Sequence, residues 1–305
     1  MTDFIAIADR VRELGREITP DGAVKSRDIY GPLIDQTAAS RATVTRDISY
    51  GPDPRNRLDL FQPKEKAAAP RPVIVFVHGG GFVRGDKHSD GSPFYSNIGL
   101  WAAGQGLIGV TVTYRLAPQH RWPAGVEDLG RVVAWLRAHV AEYGGDPDAI
   151  VLMGISAGAV HVATYVAFPE HRGAGDKGVA GAVVMSGIYD LSGDVDEREH
   201  AYFNAKGKEL EKFSSLPGLV KTDIPLMITV SEYDPPRFQG QALKLVNALF
   251  AKTGDMPRFV RLMGQNHFTS DLHFGSGEDY LGRALVRFVR EVAPAAAAEP
   301  VRRAG

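Results

Sequence analysis

The stretch Ala149-Ile150-Val151-Leu152-Met153-Gly154-Ile155-Ser156-Ala157-Gly158 joins an apolar run to the pattern Gly-x-Ser-x-Gly. The apolar run predicts a buried strand, and the pattern predicts a sharp turn from that strand into a helix. The two glycines leave room for the strand and the helix to approach each other. Such a turn lifts the serine hydroxyl to the carboxyl edge of a sheet, where the start of the helix favours developing negative charge. Ser156 is therefore predicted to be a nucleophile.

Length and composition restrict the class of protein. A chain of 305 residues can bury a large core, and its length fits one α/β domain with insertions as well as two small domains. The net charge of −1 gives no electrostatic pattern for nucleic acid or an anionic membrane, so neither is expected as a partner. The absence of cysteine excludes disulfides, thiolate catalysis and Cys-based zinc sites, and we expect no metal and no cofactor.

The N-terminal residues lack a basic start followed by an apolar core, and no apolar run approaches the ~20 residues of a membrane span. A cytoplasmic location is expected from these two features.

Short apolar segments alternate with segments whose apolar residues recur at helical spacing. The alternation predicts an α/β protein with a mostly parallel sheet of about eight strands and helices on both faces. The predicted strands are 43–50, 57–61, 73–77, 107–113, 149–155, 181–185, 225–230 and 258–263, and helices are expected over 123–143, after the Ser156 turn, and near 239–252 and 279–291.

Two segments do not fit this alternation. Residues 1–41 form a predicted helical arm, and residues 190–223 form a polar insertion after the sixth strand of the catalytic domain, residues 42–294. Both are candidates for a cap over the carboxyl edge of the sheet, where ligands bind in open α/β folds. The insertion could instead be an excursion with no role in binding. The Ala-rich residues 295–305 are expected to form a flexible tail.

A serine hydroxyl is a weak nucleophile and needs a base, usually a histidine that a carboxylate orients. Of the nine histidines, His267 follows predicted strand 258–263 through the short loop 264–266, which places it beyond the carboxyl end of a late strand. His273 is its main rival, further from the strand end. We therefore favour His267 as the general base.

The orienting carboxylate should follow a strand that lies between the serine and the histidine. Asp234 comes after predicted strand 225–230, and the prolines at 235 and 236 fix the backbone beside it. Glu232 competes from two residues earlier. Asp234 is the favoured third member of the triad.

Three consecutive glycines follow the strand 73–77 in the run His78-Gly79-Gly80-Gly81-Phe82. Glycine exposes backbone N–H groups that no side chain shields, and each donor to an oxyanion can contribute about 3–4 kcal/mol in tested systems. The N–H groups of Gly80, Gly81 and Ala157 would form a three-donor oxyanion hole. His78 is expected to play a structural part under this loop.

The glycine loop, the Gly154–Gly158 turn and two further runs come in the order of a known family. These further runs are Tyr114-Arg115-Leu116-Ala117-Pro118 and Asp146-Pro147-Asp148. Together they resemble the hormone-sensitive-lipase-like carboxylesterases of the α/β-hydrolase fold, over about residues 42–291. The chain is also similar to feruloyl or acetyl esterase-like and arylformamidase-like members. Gln119, Pro236 and Asn266 depart from the usual family residues, which loosens the subfamily assignment.

The resemblance implies a serine carboxylesterase with the triad Ser156, Asp234 and His267 and the oxyanion donors already named. Its partner would be a small-molecule ester with a short- to medium-chain or aromatic acid, and a homodimer is compatible with the sequence. Phe82 and Tyr189 are candidate substrate contacts. One alternative is an amidase or arylformamidase that uses the same triad. The other is a non-catalytic ligand-binding receptor, although such proteins typically lose a triad member.

Overall fold

The computed structural model describes residues 2–193 and 195–293, so the predicted tail lies outside the described residues. Its strands are β1 (Ala42–Ser49), β2 (Arg57–Pro63), β3 (Arg71–Val77), β4 (Ile108–Val112), β5 (Gly145–Ile155), β6 (Gly181–Met185), β7 (Leu226–Tyr233) and β8 (Arg258–Asn266). They form one eight-stranded sheet in the order β1-β2-β4-β3-β5-β6-β7-β8. Strands β1, β2 and β4 pair antiparallel, and every pairing from β4 through β3 to β8 is parallel. The predicted α/β-hydrolase fold is confirmed.

The helices lie on both faces of the sheet, as the alternation predicted. They are α1 (Phe4–Glu13), α2 (Pro20–Tyr30), α3 (Ser96–Gly104), α4 (Ala124–His139), α5 (Ala157–Ala167), α6 (Glu197–Phe203), α7 (Leu216–Lys221), α8 (Pro236–Thr253), α9 (Thr269–Leu272) and α10 (Tyr280–Val292). Helices α4, α5 and α8 pack on one face through a cluster that includes Val75 and Leu152. Helices α3 and α10 pack on the other face, where Phe76 and Met153 point. This alternation along each strand is the period-two pattern of a sheet covered on both sides.

The ends of β7 and β8 differ from the prediction in a way that matters for the site. Residues 264–266 were expected to be a loop, but β8 continues through Asn266 after an irregularity in the ladder. Gly264 takes a positive φ of 73°, which lets the chain make this irregularity and then resume pairing. Tyr233 pairs with Asn266 at the last rung. Asp234 directly follows β7 and His267 directly follows β8, so this register places the two residues side by side.

The predicted helical arm consists of two helices. Gly15 has a φ of 73° and ends the first of them. Ile7 and Val11 from α1 and Ile29 and Tyr30 from α2 form an apolar cluster with Leu272 of α9. The arm is thus packed beside the carboxyl ends of β7 and β8.

The insertion 190–223 contains α6, α7 and a stretch of 3-10 helix, Gly207–Phe213. Tyr202 and Phe203 of α6 pack with Phe82 and Val160 in a separate apolar cluster. The Phe82 and Tyr202 rings stack 4.6 Å apart. The insertion therefore lies against the glycine loop and the start of α5.

Candidate active site

The turn from β5 to α5 has the backbone that the sequence pattern demands. Ser156 has a φ of 53°, a region that residues with a side chain rarely adopt, and its N–H donates to the Met185 carbonyl at 2.9 Å. A Cβ at Gly158 would lie 2.1 Å from the Val77 carbonyl oxygen, and one at Gly154 would lie 2.4 Å from the Gly158 oxygen. Only glycine fits at either position, and the close approach of strand and helix leaves Ser156 at the carboxyl edge.

Asp234 and His267 meet at the ends of β7 and β8. The Oδ1 atom of Asp234 lies 2.7 Å from Nδ1 of His267, and the two residues are 0% and 6% exposed. The other carboxylate oxygen, Oδ2, accepts hydrogen bonds from Ser186 Oγ and from the Ser231 N–H, both at 2.6 Å. These donors hold the carboxylate in one orientation, which leaves His267 Nε2 as the ring nitrogen not engaged by Asp234.

The two rival residues lie elsewhere. Glu232 Oε2 accepts the Gly264 N–H at 2.8 Å, so its carboxylate faces the β8 irregularity. His273 is buried against the Phe274 ring, and its Nδ1 lies 3.1 Å from the Thr269 carbonyl oxygen. Of the two candidate carboxylates and the two candidate histidines, the structure brings together Asp234 and His267.

The glycine loop lies beside Ser156. A Cβ on Gly79 would lie 3.4 Å from Ser156 Cβ, and Gly80, Gly81 and Phe82 have φ values of 125°, 62° and 69°. This unusual backbone directs the loop around the pocket that Ser156 lines. Gly80, Gly81 and Ala157 all line the same pocket, as an oxyanion hole would require.

Two other histidines support the loop from below. His78 stacks on the Tyr114 ring at 4.4 Å, and its Nδ1 lies 2.6 Å from the Gly79 carbonyl oxygen. His161 packs edge-on against Phe82 and Tyr114. Burial lowers the pKa of His78 to about 4 and that of His161 to about 3, so both rings are neutral near pH 7. Their placement suits packing rather than proton transfer.

The pocket has a volume of about 440 Å³ and holds both Ser156 and His267 in its wall. No hydrogen bond joins these two side chains within residues 2–193 and 195–293. Catalytic hydrogen bonds are often long in free enzymes and tighten when substrate binds. Apolar residues make up much of the remaining wall: Ile18, Val24, Ile155, Val160, Ile188, Phe238, Phe268 and Leu272.

The two predicted substrate contacts differ in position. Phe82 lines the pocket, although only 3% of it is exposed because it stacks on Tyr202. Tyr189 is 1% exposed, belongs to the core under α5 and α8, and does not line the pocket. Its hydroxyl accepts the Gly187 N–H, which turns the ring inward. Tyr189 therefore does not contact a ligand in this pocket as the structure stands.

The sequence reasoning missed two polar pocket residues. Arg27 of α2 and Asp271 of α9 line the pocket, as does Tyr95 before α3. Burial raises the pKa of Asp271 to about 8, against the opposing effect of the Arg27 charge. The one signal for Asp271 was its spacing, four residues after His267, and Arg27 resembled an ordinary exposed helix residue.

The insertion also reaches the pocket, through α6. Its Arg198 packs on the glycine loop so closely that a Cβ at Gly81 would lie 2.8 Å from Arg198 Cδ. Asp196, the N-cap of α6, holds the Arg198 guanidinium at 2.8 Å. Glu199 pairs with Arg237 at 2.9 Å, three residues beyond Asp234. The insertion is thus tied both to the glycine loop and to the loop that carries Asp234.

Residues 2–193 and 195–293 lack two kinds of feature. They contain no helix with the length and apolar character needed to cross a membrane. They also contain no group of three or more His, Asp or Glu side chains placed to hold a metal ion.

Comparisons with known proteins agree with this architecture. Esterase LipQ of Mycobacterium tuberculosis is 33% identical over 204 residues, which cover 64% of this chain and 47% of LipQ. The probable isoprenylcysteine alpha-carbonyl methylesterase ICMEL1 of Arabidopsis thaliana is 37% identical over 153 residues, covering 49% of this chain and 31% of that protein. The chain spans less than half the length of the curated relatives it matches.

Among solved structures, Esterase B from Lactobacillus Rhamnosis has the same fold, with a TM-score of 0.72 at 18% identity over 96% of this chain and 97% of that one. The BD-FAE family model matches residues 58–235, more than half of the chain. The match includes the glycine loop, Ser156 and Asp234, and ends before His267. The resemblance inferred from the sequence motifs is therefore confirmed, and the chain belongs to the BD-FAE family of α/β-hydrolase esterases.

Proposed function

We propose that this protein is a serine carboxylesterase that hydrolyses short- to medium-chain or aromatic carboxylic esters through an acyl-enzyme. The observation that carries the proposal is the buried hydrogen bond between Asp234 and His267 in a pocket that also holds Ser156. A carboxylate in this position fixes the imidazole and stabilises the imidazolium that forms during proton transfer. The similarity to named esterases, LipQ among them, supports the choice of an ester bond.

Each step has a residue to perform it. Ser156 Oγ attacks the ester carbonyl carbon while His267 Nε2 takes the hydroxyl proton. The oxyanion that forms accepts hydrogen bonds from the backbone N–H groups of Gly80, Gly81 and Ala157. The bond from carbonyl carbon to alcohol oxygen then breaks, and His267 returns its proton to that oxygen. Water attacks the acyl-enzyme by the same route, which releases the acid and restores Ser156.

The proposal is tested by Ser156→Ala with a p-nitrophenyl butyrate assay. Alanine keeps a Cβ at the strained position and removes only the hydroxyl, so the fold is expected to persist while kcat falls to background. Ser89→Ala is the matched control, because Ser89 lines the same pocket and takes no part in the proposed reaction. Hydrolysis by Ser156→Ala at the wild-type rate would overturn the assignment.

The leaving group decides between an esterase and an amidase. Wild-type turnover of a phenyl ester and of the matching formanilide, compared at equal concentration, measures the preference directly. We expect the ester to react faster, since an amine leaving group demands a more complete proton transfer from His267. Faster turnover of the formanilide would favour the arylformamidase alternative, and turnover of neither would favour a binding protein.

A further inference from the structure

Three polar residues of the pocket wall are grouped together. They are Arg27, Tyr95 and Asp271, which come from α2, from the residue before α3 and from α9. The three side chains influence one another electrostatically: Arg27 acts on both of the others, and Asp271 acts on Tyr95. None of them has a part in the proposed transfer of the acyl group. Their convergence from distant parts of the chain indicates a binding subsite.

Asp271 is the least exposed of the three, at 3%. Burial raises the pKa of its carboxyl group to about 8, so at pH 7 the group is mostly neutral and can donate a hydrogen bond from its O–H. Burial also raises the pKa of Tyr95, and the charge of Asp271 adds to that rise. Both groups are therefore neutral donors under ordinary conditions.

Arg27 supplies a positive charge beside these donors. Within residues 2–193 and 195–293, no carboxylate oxygen lies within 4.0 Å of its guanidinium nitrogens. Arg198, on the insertion side of the pocket, is instead neutralised by Asp196 at 2.8 Å. The two walls of the pocket thus differ, because the cation of the α2 wall is available to a ligand.

We infer that Arg27, Tyr95 and Asp271 form a subsite that selects esters bearing a carboxylate group on the part of the substrate that lies along α2. A guanidinium and two neutral O–H donors match the charge and the acceptor oxygens of a carboxylate. The apolar wall accommodates the chain or ring that links this carboxylate to the ester. The inference rests on the proposed esterase function and names its substrate class.

The subsite has a predicted pH dependence. Arg27 and Tyr95 are the charged and titratable groups that face Asp271 from α2 and from the segment before α3, and His267 precedes it on its own segment. Above about pH 8 the ionised Asp271 would repel a substrate carboxylate. Preference for the carboxylate ester should therefore fall at alkaline pH, whereas Asp271→Asn should keep that preference at high pH.

The test compares two pairs of esters: monomethyl adipate with methyl hexanoate, and 4-acetoxybenzoate with 4-methylphenyl acetate. The measured quantity is the ratio of kcat/KM within each pair, for wild type and for Arg27→Gln. In at least one pair we expect Arg27→Gln to lower kcat/KM of the carboxylate ester about 10- to 100-fold. The neutral ester should change less than about 3-fold, since its reaction does not involve Arg27.

Two controls exclude long-range charge effects. Lys25→Gln removes the same charge from an exposed residue of α2 that does not line the pocket. Arg84→Gln removes another cation of the pocket wall, two residues beyond the glycine loop. The inference is wrong if Lys25→Gln or Arg84→Gln reproduces the loss, or if Arg27→Gln slows both esters of each pair equally. It is also wrong if wild type hydrolyses the neutral esters but disfavours both carboxylate esters. Failure to hydrolyse any of the four esters would instead contradict the proposed function.

Discussion

Different interactions hold the two parts of the site. One part is the proposed reaction machinery, which comprises Ser156, Asp234, His267 and the glycine loop. The other is the pocket walls that the arm and the insertion form. Asp234 is buried and makes hydrogen bonds to His267, Ser186 and Ser231 that fix its carboxylate. Apolar packing of α1 and α2 holds the arm in place. The stacking of Tyr202 on Phe82 and the Glu199–Arg237 ion pair hold the insertion. A change in the machinery should therefore slow every ester alike. A change in the walls should alter which ester is preferred or how stability depends on pH.

The largest effect is expected at Asp234. In Asp234→Asn the amide cannot stabilise the imidazolium, and it favours the tautomer that carries the proton on the wrong nitrogen of His267. We expect kcat to fall about 10⁴-fold. Steady-state assays with p-nitrophenyl acetate, butyrate and octanoate check this, and the loss should be equal for all three. A loss confined to one chain length would place Asp234 in a wall instead of the machinery.

A smaller loss is expected at the glycine loop. A Cβ in Gly80→Ala would lie 2.0 Å from the Arg84 carbonyl oxygen, so the loop must shift. After that shift the N–H groups no longer point at the position of the oxyanion. We expect kcat to fall about 10²- to 10³-fold with little change in KM. Gly91→Ala is the matched control, because Gly91 also has a positive φ, of 71°, and nothing lies within 4 Å of its added Cβ. Equal losses in the two variants would show that strain alone, and not the oxyanion donors, is responsible.

The third effect belongs to the wall and concerns stability rather than rate. The pKa of Asp271 rises from 3.8 to about 8 on folding, so the folded protein retains a proton that the unfolded chain releases. This contribution to stability is fully present below pH 3.8 and is lost as the pH rises through about 8. Asp271→Asn removes this pH dependence. As the pH rises from 3.8 to about 8, the free energy of unfolding of the variant should therefore increase relative to that of wild type, by at most about 1.4 kcal/mol per pH unit.

Urea unfolding at pH 5, 6, 7 and 8 measures the difference. Asp86→Asn is a suitable control, since Asp86 lines the pocket but is exposed. Parallel stability profiles for wild type and Asp271→Asn would contradict a carboxyl group that folding keeps neutral.

The sequence predicts the positions of the proposed machinery better than those of the wall residues, for a physical reason. Ser156, Asp234 and His267 are signalled by local patterns, each an apolar strand followed at once by a turn or loop. Parallel strands bring their carboxyl ends to one edge, so these local signals are enough to assemble a site. The local sequence signals do not predict the pairing of Tyr233 with Asn266, because that register depends on the irregularity at Gly264.

The walls depend on contacts between distant segments. Arg27 lies on α2, and its role depends on how that helix packs against α9, which no local pattern encodes. The break at Gly15, which divides the arm into two helices, was not predicted either. Tyr189 shows the opposite error: an aromatic residue soon after a strand suggested a pocket contact, but its ring turns into the core.

The central claim is that Ser156 is the nucleophile of this site. The most direct measurement is labelling of the intact protein with a fluorophosphonate, followed by peptide mass spectrometry to locate the adduct. Covalent attack requires a serine activated by a base, so we predict one adduct per chain, on Ser156, and none in the Ser156→Ala and His267→Ala variants. An adduct on another residue, or unmodified Ser156 under conditions that exhaust the probe in a control esterase, would contradict the account.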